Sequence, residues 1–136
     1  MSGRSTVYNA GLTSPEKIAG INKKNITLLN DFIDYLRSVA RSETTIKNYR
    51  SDLLIFFCWC EEFLDNKYFI NLTKRELSRF QSYVLNELKW SSNRVRTVKA
   101  AISSLSNFIE NILDDEIKGY KSIVRKIESP PKQTVR

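Results

Sequence analysis

The stretch ETTIKNYRSDLLIFFCWCEEF, residues 43–63, is apolar around almost its whole later half. No other feature restricts the fold as strongly. Ile46, Tyr49, Leu53, Phe56, Phe57, Cys60 and Phe63 recur at helical spacing on one face. Leu54, Ile55, Cys58 and Trp59 fill most of the remainder. A helix that is apolar on all sides lies at the centre of a packed domain or meets a partner. The sequence therefore predicts a central helix from about residues 42–45 to 64.

Three further segments share that period. The first, from about Lys24 to Ala40, repeats at Ile26, Leu29, Phe32, Ile33, Leu36 and Val39. The next opens at Leu72-Thr73. There Thr73 and Glu76 have capping-box spacing, and Leu72 with Leu77 can form the hydrophobic staple. The last carries Val95, Val98, Ile102, Leu105, Phe108, Ile109 and Ile112, and ends near the acidic run at 114–116. Between the second and third segments, Tyr68, Phe69 and Ile70 are expected to tuck into the core. Ile123, Val124 and Ile127 suggest a short fifth helix, and from Ser129 onward the composition is that of a linker. No stretch alternates with period two, and no internal repeat is present. Connections of roughly 2 to 8 residues imply an all-α, compact bundle of four to five helices. The expected organisation is a flexible N-terminal arm over 1–23, a helical domain over 24–128, and the start of a linker over 129–136.

With 136 residues there is enough chain for one domain with a core that needs no staples. No apolar run approaches the roughly 20 residues of a membrane span, and the first residues lack an apolar signal core. The net charge of +7 suits an anionic partner: nucleic acid first, an acidic membrane surface or acidic protein second. Cys58 and Cys60 would point about 200° apart on a helix, so they cannot pair with each other. With no histidine in the chain, two such thiols do not make a zinc site. They read as free thiols in a reducing cytoplasm. No metal and no cofactor is implied. No GxSxG, P-loop or paired-carboxylate setting supports hydrolytic or phosphoryl-transfer chemistry.

The charges of KWSSNRVRTVKAAISSLSNFI, residues 89–109, are less easily explained. Arg94, Arg96 and Lys99 fall in the first turns of a helix, where the dipole favours acids at a few tenths of a kcal/mol each, roughly. On a helical wheel Ser92, Asn93, Arg96, Lys99, Ala100 and Ser103 lie opposite the apolar stripe. The central helix opens in the same way, with Ser42, Thr44 and Thr45 followed by Lys47, Asn48 and Arg50. Thr44, Lys47 and Ser51 face away from its core stripe. Cations, amides and hydroxyls are the groups that bond phosphates and base edges. A polyanion at such helix starts would make the placement favourable. Solvated cations on an amphipathic helix need no ligand, however. The residues alone leave open nucleic-acid binding, a protein-interaction bundle using Leu54, Ile55, Cys58 and Trp59 as an apolar patch, or another globular role. A helix-turn-helix repressor is disfavoured, since no short Gly-containing turn joins two brief helices.

Taken in order, SETTIKNYRSDLLIFFCWC, NLTKRELSRFQSYVL and SSNRVRTVKAAISSLSNFIENIL resemble the N-terminal core-binding domain of tyrosine recombinases of the phage-integrase type. Thr45, Tyr49, Leu53 and Trp59 match the family's first long motif, Leu72-Thr73 its next helix start, and Ser91 to Phe108 its Ser-rich helix. The tail YKSIVRKIESPPK is similar to the family's exit toward a catalytic domain. The likeness runs from about residue 25 to 134. It implies a SAM-like orthogonal helical fold, one face of which grips double-stranded DNA as half of a clamp. Carried over by position, the DNA contacts would be Thr44, Thr45, Lys47, Asn48 and Arg50, then Ser92, Asn93, Arg94, Arg96, Thr97 and Lys99. Arg125, Lys126 and Lys132 would follow the backbone toward the next domain. The implied partners are duplex DNA, a catalytic domain of the same polypeptide and other recombinase protomers, in the bacterial cytoplasm and nucleoid and not at a membrane. The family's reaction needs a tyrosine nucleophile, two arginines, a lysine and histidine-type acid–base groups. This sequence has no histidine and ends at Arg136. Tyr49 and Tyr120 are expected to be packing residues, and the chain is expected to be a piece of a longer integrase that binds DNA without cutting it.

Overall fold

The computed structural model describes residues 12–132. Among them are five α-helices and no strand: α1 (Pro15–Ala19), α2 (Lys23–Ser38), α3 (Glu43–Phe63), α4 (Lys74–Asn86) and α5 (Ser92–Asn111), with a 3₁₀ turn at Phe69–Asn71. The all-α class and four long helices agree with the periodicity. Two compact units divide between Asn71 and Leu72, where periodicity alone predicts one continuous domain.

In the first unit α3 is central, and both α1 and α2 pack against it. This accounts for its all-round apolar character. Leu53, Phe56, Phe57, Cys58 and Cys60 are completely buried. Phe69 closes the unit, its ring edge-on to Phe56 and Phe57 at 6.2 and 6.1 Å. Tyr68 and Ile70 are only half-buried. Ile55, Cys58 and Trp59 are buried and Leu54 half-buried, so the apolar patch considered for a protein partner is not at the surface. Phe63, expected in the core, is exposed.

The loose arm expected over 1–23 is folded in its described part. Ser14 caps α1 by accepting from the Lys17 amide, and Pro15 takes the first helical position. Leu12 and Ile21 are buried on either side. Residues 1–11 lie outside the described residues.

In the second unit α4 packs against α5. The Thr73–Glu76 capping box is present in full, and Leu72 and Leu77 are both buried. Leu77, Phe80 and Val84 of α4 and Val95, Val98, Ile102, Leu105 and Ile109 of α5 form the core. Trp90 stands edge-on to Phe80 at 6.2 Å. Beyond Asn111 none of the described residues is helical, so Ile123–Ile127 is turn rather than the expected short helix. Lys126 adopts a left-handed φ of 71°, which a helix cannot accommodate. The Ser122 amide donates to Glu110 instead of extending a ladder.

Candidate nucleic-acid interface

Helices α3 and α5 both begin on a serine cap. Ser42 Oγ accepts from the Thr45 amide at 3.1 Å, and Ser91 Oγ accepts from the Arg94 amide at 3.1 Å. The side chains that follow have different surroundings in the two units.

At the start of α3, Thr44, Lys47, Asn48 and Arg50 are exposed. Among the described residues none of these four makes a side-chain hydrogen bond or ion pair. Thr45 is half-buried, and its hydroxyl accepts from Ser42 Oγ at 2.9 Å. The first turn holds one acid, Glu43, which meets Arg37 of α2 at 3.4 Å. The result is a helix N-terminus with two unoccupied cations, an amide and a hydroxyl around it.

The first turn of α5 holds no acid. Asn93, Arg96 and Thr97 are exposed and Ser92 is half-buried. Arg94 lies over the Trp90 ring at 4.9 Å, a cation–π contact that tethers it beside the helix start. Thr97 donates back to the Asn93 carbonyl at 3.0 Å. Arg96 donates to the Pro130 carbonyl at 3.1 Å. Lys99 differs most from expectation. The wheel puts it on the solvent side, yet it is 6% exposed. Its ammonium donates to the Ile127 carbonyl at 2.6 Å and to Ser129 Oγ at 3.0 Å. Burial, and then Arg96 close by, push its pKa down; Glu128 opposes them. A wheel sorts a helix against its own core and cannot register a later segment folding over the opposite face.

Farther along, Arg125 is exposed but paired, with both its terminal nitrogens on Glu110. Lys126 and Lys132 are exposed. Gln81, Glu110 and Ser129 all help to hold this end of the chain, and sequence reasoning does not single them out. Glu110 alone leaves a trace, as an acid directly after the apolar pair Phe108-Ile109.

Both tyrosines weighed for chemistry have packing or hydrogen-bonding roles. Tyr49 packs its ring on Phe32 at 5.9 Å. Tyr120 shares a 3.0 Å hydrogen bond with Ser106, and burial pushes its phenol up to about 12, away from a nucleophile's range.

Residues 28–119 match the family described as phage integrase, N-terminal SAM-like domain. The chain belongs to that family. This SAM-like integrase domain is also 30% identical over 117 residues to the SPbeta prophage-derived recombinase-like protein YomM of Bacillus subtilis (strain 168). The alignment covers 84% of this chain and 34% of that protein, so the chain spans about a third of the length of the curated relative it matches. No solved structure matches the domain significantly. Among its described residues no helix is long and apolar enough to cross a membrane.

Proposed function

We propose that this SAM-like domain is the core-binding part of a tyrosine recombinase. It grips duplex DNA at the recombination site as half of a clamp and supplies no catalytic group of its own. The observation that carries this reading is the start of α3. There Lys47 and Arg50, with Thr44 and Asn48, surround the positive end of a 21-residue helix and are exposed and unoccupied. Phosphate oxygens suit such a site, because backbone N–H groups, the helix dipole and side-chain cations act on them together. Thr45 is placed to support this contact.

At the start of α5, Ser92, Asn93, Arg94, Arg96 and Thr97 form a second contact. Arg125, Lys126 and Lys132 follow the phosphate backbone as the chain leaves. Lys99 belongs to the same contact, although in the free protein its ammonium is engaged by Ile127 and Ser129. The remaining partners are a catalytic domain of the same polypeptide, which closes the clamp, and other protomers on the same DNA. The setting is the bacterial nucleoid. The recombinase-like description of the B. subtilis relative supports the same assignment.

The test is an anisotropy titration of a labelled duplex of about 30 bp across a salt series. Binding should be weak, near the roughly 10⁻⁴ to 10⁻⁶ M of non-specific complexes at physiological salt, and should tighten steeply as salt falls. Reversing Lys47 and Arg50 to Glu should weaken it at least about tenfold and flatten the log–log salt slope by about 0.9 for each phosphate no longer neutralised. Parent-like binding by this variant would remove the start of α3 from the interface.

A further inference from the structure

In the second unit, four consecutive residues are held down by side chains from two helices. Gln81 of α4 donates to the Glu128 carbonyl at 2.8 Å. Arg96 of α5 takes the Pro130 carbonyl, and Lys99 takes the Ile127 carbonyl and the Ser129 hydroxyl. Every group on residues 127–130 that these three side chains use is therefore an acceptor, while the Ile127 amide donates to the Val124 carbonyl at 3.1 Å. Pro130 and Pro131 have no N–H to donate and fix φ, which keeps this stretch extended. Arg96 and Lys99 thus meet neutral oxygens at the helix face where a phosphate would offer charged ones.

We propose that residues 127–130 are a displaceable strap, which occupies Arg96 and Lys99 in the free protein and gives them up to nucleic-acid phosphates on binding. The inference rests on the DNA-binding reading above and adds a conformational step to it. The carbonyls bond these cations through a charge on the donor alone, whereas a phosphate oxygen adds the attraction of an opposite charge, so phosphate oxygens displace carbonyls on the same cations. Lys99 is only partly compensated as it stands: burial and Arg96 disfavour its charge, Glu128 favours it, and the two oxygens it bonds are neutral. Gln81 carries no charge and holds only the strap, so it sets how firmly the strap closes without contributing to phosphate affinity. Release frees the chain beyond Lys126, and six residues (127–132) can then span up to roughly 20 Å. DNA engagement and the reach of the chain's end become coupled.

Two charge-neutral substitutions made together, Gln81→Ala and Ser129→Ala, loosen the strap while leaving every cation in place. With the whole chain and the 30-bp duplex, this variant should bind about fivefold tighter than the parent, because a larger fraction is binding-competent before DNA arrives. Ser129→Asp, with a carboxylate beside Lys99, should weaken binding by more than Asn86→Asp, an equal charge change on an exposed position of α4. Carbonyl ¹³C resonances of Ile127, Glu128 and Pro130 should move on adding duplex toward their positions in the loosened variant. Should that variant fail to fold in a thermal melt, the aspartate pair still decides. If the parent binds duplex but the loosened variant binds equally, the two aspartates act alike and the resonances stay put, the strap is overturned and the DNA-binding reading stands. If the parent binds no duplex at low salt, both are overturned.

Discussion

The two units fasten their connections with different chemistry. Up to Asn71 the chain's turns and connections are tied mostly by asparagines. Asn66 accepts from the Asn22 amide at 2.8 Å and donates to the Gly20 carbonyl at 2.7 Å. Asn25, buried in α2, donates to the Lys67 carbonyl and accepts from the Phe69 amide at 2.7 Å. From Leu72 onward the ties are mostly cations: Lys99 and Arg96 on residues 127–130, and Arg125 on Glu110. With its connections closed by neutral amides, the first unit leaves Lys47 and Arg50 uncommitted, while Lys17 pairs with Glu62 and Arg37 with Glu43. A unit closed by cations has fewer to offer a ligand. The same serine-cap-then-cation pattern therefore yields open charge at α3 and engaged charge at α5.

The largest expected effect tests the amide side. Asn25→Ala leaves the Phe69 amide and the Lys67 carbonyl without their partner. It should destabilise the first unit by about 2–3 kcal/mol, the cost of stranding buried polar groups. Because no charge is involved, urea melts in 50 mM and in 1 M NaCl should show the same loss. A loss that shrinks at high salt would erase the distinction between the units.

Alkali is the next lever and separates the units by onset. Burial, then Glu61, push the Cys58 thiol from 9.0 up to about 11. Burial lifts Tyr120 from 10.0 to about 12. In both cases the folded state keeps a proton that the unfolded chain releases. Their contribution is complete below the unfolded pKa and falls as pH rises through the folded one. The first unit should therefore weaken from about pH 9; in the second Tyr120 acts from about pH 10, and Lys99, with its pKa lowered by burial, opposes it. Cys58→Ala should remove the earlier onset, read from urea melts at half-unit steps of pH. An unchanged onset would mean that Cys58 does not set it.

Much of the fold is readable because one-dimensional periods determine which residues meet a core. The four long helices, the Thr73–Glu76 box and the central position of α3 all follow from residue spacing. Helix α1 is readable in principle, since Ser14-Pro15-Glu16 is a cap, a first-position proline and a first-turn acid. The polar stretch around it hides that signal, and with it part of the cover of α3. This is why a surface patch over Leu54–Trp59 stays open as an alternative in the sequence. The candidate site is half readable for a different reason. Exposure of Lys47 and Arg50 depends on their own helix. Exposure of Arg96 and Lys99 depends on where residues 127–130 go, and a segment without period carries no such instruction.

A smaller effect tests the cation side. Glu110 is the acceptor that fixes both the Ser122 amide and Arg125. Glu110→Gln keeps one acceptor oxygen and loses the charge, which should lower the second unit's stability by about 1 kcal/mol. Arg125 is 62% exposed, so salt screens part of this interaction. The loss should be smaller in 1 M than in 50 mM NaCl, opposite in form to the salt-independent loss from Asn25→Ala. Equal losses at both salts would show that Glu110 acts through its neutral bond to Ser122 alone.

The smallest effect bears directly on why α5 carries cations at its positive end. Asn93 sits exposed in the first turn, where α5 lacks the acid that α3 has in Glu43. Asn93→Asp supplies one, and a carboxylate there should stabilise the helix by about 0.3–1 kcal/mol through the dipole. The same charge sits beside Arg96 and opposes an approaching phosphate, so duplex binding should weaken several-fold at low salt. Stability and affinity should thus move in opposite directions, as they do when a local rule is broken for function. The mirror change on α3, Glu43→Gln, should lower stability slightly, since its pair with Arg37 is exposed and worth less than about 1 kcal/mol. It should strengthen binding by removing a negative charge next to Lys47. Melts and titrations of the two variants at matched salt give four signs. A variant at position 93 that gains stability without losing affinity would mean that the start of α5 does not meet DNA, leaving α3 alone to hold it.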